Sequence, residues 1–250
     1  MSSKIELNYD ELNPILTFDT DWAPDYTIDY VSEKLQKLKI KATWFITHES
    51  PAIQRLKENS LFEIGIHPNF YSNSTQGKDI DEILKNLKRI APNAKSIRTH
   101  GLLQSTEILL KFHKYGIETD VSILLNNEES LKPHHSKPFK ILRIPYYWED
   151  DVEMMYESNW ENVDNHFSVQ GLKIFDFHPI HIFLNSDSME KYNELKTQGY
   201  PKISKEKLLE FRNKNVGTDT FFEQFIEKLS RKRTHTINEI TQKFYESIEK

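Results

Sequence analysis

The chain contains no cysteine, which excludes disulfides and thiolate metal sites. Any metal must then be held by histidine, carboxylate or neutral oxygen ligands, a donor set suited to zinc, manganese, cobalt or iron. Glycine is scarce, with seven in 250 residues, and no segment is low in complexity, so long disorder is not expected. No run approaches the ~20 apolar residues of a membrane-spanning helix. Residues 1–10 are polar and lack an apolar signal-peptide core, which makes a cytoplasmic location the default expectation. An excess of positive charge is also missing: 33 Lys+Arg against 38 Asp+Glu give a net charge of -5. There is thus no basic field for nucleic acid, and the run Arg231-Lys232-Arg233 reads as a solvated helix end.

What is present is an alternation of strand and helix patterns. At 37% hydrophobic and 28% charged residues, the chain has the composition of a globular protein with a sizeable core. Apolar strand candidates span 14–19, 40–46, 61–66, 95–98, 117–125, 139–144 and 172–177. Between them, Ile28, Val31, Leu35 and Leu38 recur at helical spacing, as do Ile80, Ile83, Leu84, Leu87 and Ile90. Ser50-Pro51 and Ser105 are helix starts, and Gly116 is placed as a helix C-terminal residue. This alternation predicts an α/β fold with a parallel sheet, and the strand count favours a barrel over an open sheet. The barrel is expected over 13–185. A mostly helical tail, 186–250, is expected as an appendage of the same domain, with oligomerisation as one of its possible uses.

Four strand ends carry polar residues of metal or acid–base chemistry. They are Asp19 and Asp21 in Thr17-Phe18-Asp19-Thr20-Asp21, His67 in Glu63-Ile64-Gly65-Ile66-His67, Arg98 and His100 in Ile97-Arg98-Thr99-His100, and His178 and His181 in Phe177-His178-Pro179-Ile180-His181. In a βα-repeat protein the strand C-termini converge on one face, so these residues would meet in one pocket. Asp19 and Asp21, two residues apart, repel unless a cation or proton lies between them or the backbone turns to part them. Each alone has an ordinary reading: a helix cap for the aspartates, loop hydrogen bonds for the histidines, a salt bridge for Arg98. Arg98 stays protonated and can orient a carboxylate such as Asp19. Trp22, Tyr146, Trp148 and Asp150, with His181, form an aromatic and acidic set consistent with sugar binding, although aromatics also fill cores. His113, His134, His135 and His235 fall on expected helix or loop surface.

Together these segments resemble the polysaccharide deacetylase family, carbohydrate esterase family four. Its aspartate motif is similar to residues 17–21, its histidine motif to 63–67, its arginine motif to Arg98 with Gly101, its proline–tryptophan segment to 144–148, and its last motif to the strand leading to His178. The resemblance covers roughly 15–181 and implies a distorted (β/α) barrel, usually of seven strands, that hydrolyses acetyl groups on sugars. It implies Asp19 as general base, Asp21 and His67 as ligands of a divalent metal, most simply zinc, Arg98 as the residue orienting Asp19, and His178 as general acid. One position departs: the family's second histidine, four residues after the first, is Tyr71 here. That leaves His100 or the Asn69 carbonyl as third ligand, and imidazole is the better donor to a transition metal. Pro68-Asn69-Phe70 and 177–181 resemble a branch associated with surface-polysaccharide synthesis.

The leading expectation is a metal-dependent deacetylase acting on an acetamido sugar or its polysaccharide precursor. A catalytically inactive barrel that binds sugar or scaffolds a complex is the alternative. A phosphotransferase of the haloacid dehalogenase type, which also opens on a strand-borne Asp-x-Asp, leaves the histidine-rich strand ends unexplained.

Overall fold

In the computed structural model, which describes residues 8–156 and 160–248, the alternating patterns become alternating elements. Residues 1–7, most of the polar N-terminal stretch, lie outside the described residues. In chain order come β1 (Ile15–Asp19), α1 (Asp25–Leu38), β2 (Ala42–Ile46), α2 (Pro51–Glu58), β3 (Phe62–Ile66), α3 (Ile80–Ile90), β4 (Ser96–Ile97), α4 (Thr106–Lys114) and β5 (Thr119–Leu124). Then follow β6 (His134–Ser136), β7 (Ile141–Tyr146), β8 (Trp148–Glu149), α5 (Asp150–Glu153), α6 (Val163–Ser168), β9 (Ile174–Phe177) and α7 (Pro179–Leu184). The tail carries α8 (Met189–Thr197), α9 (Lys205–Glu210), α10 (Thr218–Leu229) and α11 (Ile237–Ile248). The Ser50 and Ser105 side chains cap α2 and α4 by accepting from Ile53 and Ile108 N–H groups. Each satisfies a backbone donor that the first turn leaves free.

The strands are ordered β6-β7-β5-β4-β3-β2-β1-β9-β8. β7 and β8 are one run of chain bent at Tyr147. Its first part pairs in parallel with β5 and its second with β9, and the Tyr147 N–H donates to the Ile174 carbonyl at 2.8 Å. The ladder therefore returns on itself as a ring of seven parallel strands, counting β7 and β8 as one. β6 pairs antiparallel along β7 ahead of the bend, covering an edge that would otherwise stay open. β1 and β2 are buried along their whole length, as expected for parallel strands flanked on both faces.

The tail packs on this ring in two ways. α10 joins the barrel's own core: Phe222 meets Phe18 edge-on at 6.0 Å between ring centres, and Phe221 stacks on Trp148 at 5.2 Å. α11 sits under the ring's N-terminal end, where the Ile237 and Asn238 N–H groups donate to Thr43 Oγ1 (3.0 Å) and Glu63 Oε2 (2.7 Å). α8 and α9 instead share a small cluster with α7, built on Phe183, Leu184, Leu195 and Leu208. Two surface expectations change. His134 and His135 lie in β6, whose polar sequence gives no strand signal, and His235 is buried at 5% exposure near the start of α11.

Candidate active site

All the strand-end residues singled out in the sequence reach one end of the ring. Asp19 is the last residue of β1, and the chain then turns through Asp21 (φ 41°) and Trp22 (φ 55°), both left-handed. Such backbone is costly for side chains larger than glycine and is tolerated where surrounding contacts impose it. Here the Thr47 hydroxyl accepts the Trp22 N–H at 2.9 Å and lies 3.0 Å from the Thr20 hydroxyl, tying the turn to the end of β2. The turn parts the two aspartates: Asp19 points into the ring and Asp21 toward the cleft.

Beneath the cleft lies a buried relay. Arg98 is 1% exposed, with its guanidinium between the Phe45 and Tyr146 rings at 4.6 and 4.4 Å. It donates to Asp19 Oδ1 (3.1 Å), to Asp176 Oδ1, to the Thr17 hydroxyl (2.9 Å) and to the Val121 carbonyl (3.2 Å). Gly65 makes room for Phe45, because a Cβ there would lie 2.5 Å from that ring. Burial lifts the Asp19 carboxyl to about 6 even against the neighbouring Arg98. Burial lifts Asp176 well above the carboxylate range for the same reason, since one guanidinium serves both acids.

In the cleft wall, Asp21 Oδ1, His67 Nε2 and His100 Nδ1 form a near-equilateral triangle. The separations are 3.2 Å from Asp21 to His67, 3.1 Å from Asp21 to His100 and 3.2 Å between the two ring nitrogens. Burial opposes ionisation of Asp21, but hydrogen bonds from His100 and His67 outweigh it and hold its carboxyl well below its ordinary value. Burial also lowers His67, favouring the neutral imidazole. Asn69 lines the cleft, but its Oδ1 accepts the Tyr71 N–H at 2.9 Å within its own turn. Tyr71 packs against the His100 turn: its hydroxyl is 3.4 Å from the Gly101 carbonyl. Gly101 has φ 58°, and a Cβ on it would approach that hydroxyl to 2.9 Å.

On the far side of Asp21, His178 Nε2 lies 3.8 Å from Asp21 Oδ2. Asp150 holds His178 twice, with one oxygen 2.7 Å from Nδ1 and the other accepting the backbone N–H at 2.8 Å. His181 Nε2 pairs with Asp151 at 2.7 Å, and Asp151 is 3.8 Å from His178 Nδ1. Burial disfavours the imidazolium of His178, yet the charges of Asp151 and Asp150 raise its pKa well above the ordinary histidine value.

The cleft encloses about 450 Å³, within the range of small-molecule sites. Trp22 stands in its wall with its ring edge-on to His100 at 5.5 Å. The other aromatics and acids expected at the rim are elsewhere: Tyr146 and Trp148 are fully buried under the site, Asp150 is sealed against His178, and His181 is buried against Tyr192. Sequence reasoning gave no role to Asp176. Asp176 sits two residues before His178 in a strand, a spacing that would have flagged an acid inside the ring.

A ring of seven parallel strands with its polar residues gathered at one end is a (β/α) barrel with a single candidate site among the described residues. The WbmS-like polysaccharide deacetylase family model matches residues 16–196, and the chain belongs to that family. A Bordetella bronchiseptica protein assigned to polysaccharide deacetylation in O-antigen biosynthesis is 31% identical, with a TM-score of 0.78 over 86% of this chain and 90% of that one. A Mycobacterium smegmatis structure, assigned as a polysaccharide deacetylase, shares 14% identity and a TM-score of 0.60 over 93% and 89% of the two chains. A 4-alpha-glucanotransferase from Thermococcus litoralis shares the fold at 12% identity and TM-score 0.54, over 93% of this chain and 40% of its own. Among curated proteins no relative matches. Family membership displaces the phosphotransferase alternative. No helix among the described residues is long and apolar enough to cross a membrane.

Proposed function

We propose that the chain is a metal-dependent hydrolase that removes the acetyl group from an acetamido sugar of a surface-polysaccharide precursor. The observation that carries this reading is the triangle of Asp21, His67 and His100, with sides of 3.1–3.2 Å. Ligands at ~2.0–2.1 Å in tetrahedral coordination stand about 3.3–3.4 Å apart, so the three atoms have nearly the spacing of a two-histidine, one-carboxylate site. In this reading His100 replaces the histidine that Tyr71 displaces, and Asn69 stays in its turn. Zinc is the proposed ion, and cobalt, manganese and iron match the same donors. The ion supplies Lewis acidity toward the acetyl carbonyl and toward water.

The chain's own groups complete the chemistry. Asp19, held by Arg98, accepts the proton of the attacking water as its oxygen bonds to the acetyl carbon. Arg98 holds Asp19 Oδ1, which leaves Oδ2, on the His67 side, as the proton-accepting oxygen, and the Phe45 and Tyr146 rings fix Arg98. As the C–N bond breaks, His178 donates the proton of its imidazolium to the amine, and acetate leaves. Asp150, bound to Nδ1, keeps Nε2 as the donating atom. A precursor of surface polysaccharide as substrate is supported by the O-antigen role assigned to the 31% identical relative.

The test pairs elemental analysis of purified protein with acetate release from acetamido sugars. Near-stoichiometric metal, lost in Asp21→Ala and His100→Ala, together with acetate release lost in Asp19→Asn, is expected. Full turnover by Asp19→Asn would remove the base assignment. Wild-type protein that takes up neither zinc nor cobalt would leave a sugar-binding barrel instead.

A further inference from the structure

The cleft is not built by the barrel alone. Its outer wall comes from the helical tail: α8 and the turn after it contribute Tyr192, Lys196, Tyr200 and Pro201. Tyr192 and Lys196 are four residues apart in one helix, so they share a face; both line the cleft, and Tyr192 is also anchored with Leu195 in the small cluster shared with α7. The Lys196 ammonium rests over the Tyr192 ring, 4.3 Å from its centre. That ring in turn meets His181 edge-on at 4.5 Å. Tyr192 is 6% exposed, so the platform under the ammonium is fixed.

Lys196 is exposed at the cleft wall and is the lysine among the cleft-lining residues. Lys34, Lys111 and Lys228 are each paired with a carboxylate, whereas among the described residues Lys196 has no acidic partner within ion-pairing distance. Within the cleft, Asp21 and His100 belong to the triangle, and every other lining group except Lys196 is neutral. The cleft that Asp21 and His100 line therefore also carries one cation without an acidic partner, seated over a buried aromatic ring, in a chain whose net charge is -5.

Resting on the deacetylase reading, we propose that Lys196 is a specificity residue that binds an anionic group carried by the acetamido sugar. The substrate class is then an acidic acetamido sugar, whose negative group is either a carboxylate on the ring or a phosphate at the anomeric carbon. A sugar with the acetamido group at the triangle and an anion on another ring carbon would span the cleft from Asp21 to Lys196. Tyr192 would hold the ammonium in place over its ring.

The experiment measures binding of three probes to the full chain by titration calorimetry: the methyl glycoside of N-acetylglucosamine, its 6-carboxylate analogue, and UDP-N-acetylglucosamine. Wild type is compared with Lys196→Met and Lys196→Arg, at low and high salt. At least one anionic probe is expected to bind more tightly than the neutral one. Lys196→Met should close that gap by about tenfold, the scale of a charged hydrogen bond, Lys196→Arg should retain most of it, and salt should narrow it. Preference for the carboxylate or for the diphosphate identifies the source of the anion. Equal binding of neutral and anionic probes, an unchanged gap in Lys196→Met, or no binding of any probe would overturn the proposal. Acetate release by the zinc-loaded wild type is scored separately. Lysine-dependent binding without acetate release keeps the anion subsite and removes the hydrolase reading, and the converse keeps the hydrolase and removes the subsite.

Discussion

Two charged clusters sit within one barrel mouth, and their carboxylates behave in opposite ways. Asp21, in the cleft wall, is held well below its ordinary pKa, while Asp176, in the relay beneath, is pushed well above it. Burial penalises ionisation in both. The difference lies in the donors: Asp21 faces two imidazoles, whereas Asp176 shares Arg98 with Asp19. Nearby Glu149, hydrogen-bonded by Tyr146, is raised to about 8, chiefly by burial. The triangle is thus a cluster of Lewis bases pointed at one focus, and the relay is a cluster of acids whose pKa values burial raises. Asp19 stands between them, 3.3 Å from His67 Nδ1 and 3.1 Å from Arg98. Its intermediate pKa of about 6 suits a base that must take up and release a proton near neutrality.

The largest effect is expected from breaking the triangle. Asp21→Ala should lose its metal and reduce acetate release to background, read by elemental analysis and an acetate assay. Asp19→Asn should keep the metal yet slow acetate release by about 10²–10⁴-fold, the usual worth of a general base. Metal loss in Asp19→Asn would mean that the two clusters are not separable.

Arg98→Met tests the relay through stability. It leaves two buried acids without their cation and should cost about 3–5 kcal/mol in denaturant unfolding. Asp176→Asn should cost far less, because that carboxyl is already driven toward its neutral form. Equal costs would contradict the upward shift of Asp176.

The pH profile sharpens the contrast further. Asp19 must be ionised to act, so kcat/KM should rise with pH through about 6. His178 must be protonated, and its raised pKa puts the falling limb above the ordinary histidine range. Asp150→Asn removes one of the charges that raise it, so the falling limb should move to lower pH. A falling limb that stays in place would assign it to another group. The smallest effect is expected at Gly101. Gly101→Ala forces a side chain into left-handed backbone and toward Tyr71, at about 1–2 kcal/mol, and should weaken metal uptake through His100 rather than abolish it.

Much of the scaffold was legible before any coordinates. The run 14–19 ends at an acid because an interior strand is apolar and its end is not, and Ser50 and Ser105 start helices because their hydroxyls satisfy free N–H groups. Parts with no local signal were not legible. β6 is polar and owes its pairing to the exposed edge of β7. The bend at Tyr147, which lets one strand serve both β5 and β9, lies beyond the strand pattern read over 139–144 and shows only in the pairing. Of the site, residue types and strand ends could be read, since chemistry at a parallel sheet's C-terminal end follows from topology. Directions could not: Tyr146, Trp148 and Asp150 suit a sugar-binding rim by composition, yet they support Arg98, the core and His178.

By itself, then, the sequence determined a cysteine-free α/β chain with aspartate and histidine gathered at strand ends, because periodicity and side-chain chemistry are local properties. Only the tertiary structure decided that His100 joins Asp21 and His67, that one arginine serves two acids, and that Lys196 from the tail faces the cleft. Those depend on distances between residues up to 175 positions apart, which backbone turns such as that at Asp21 and Trp22 set and local pattern does not encode.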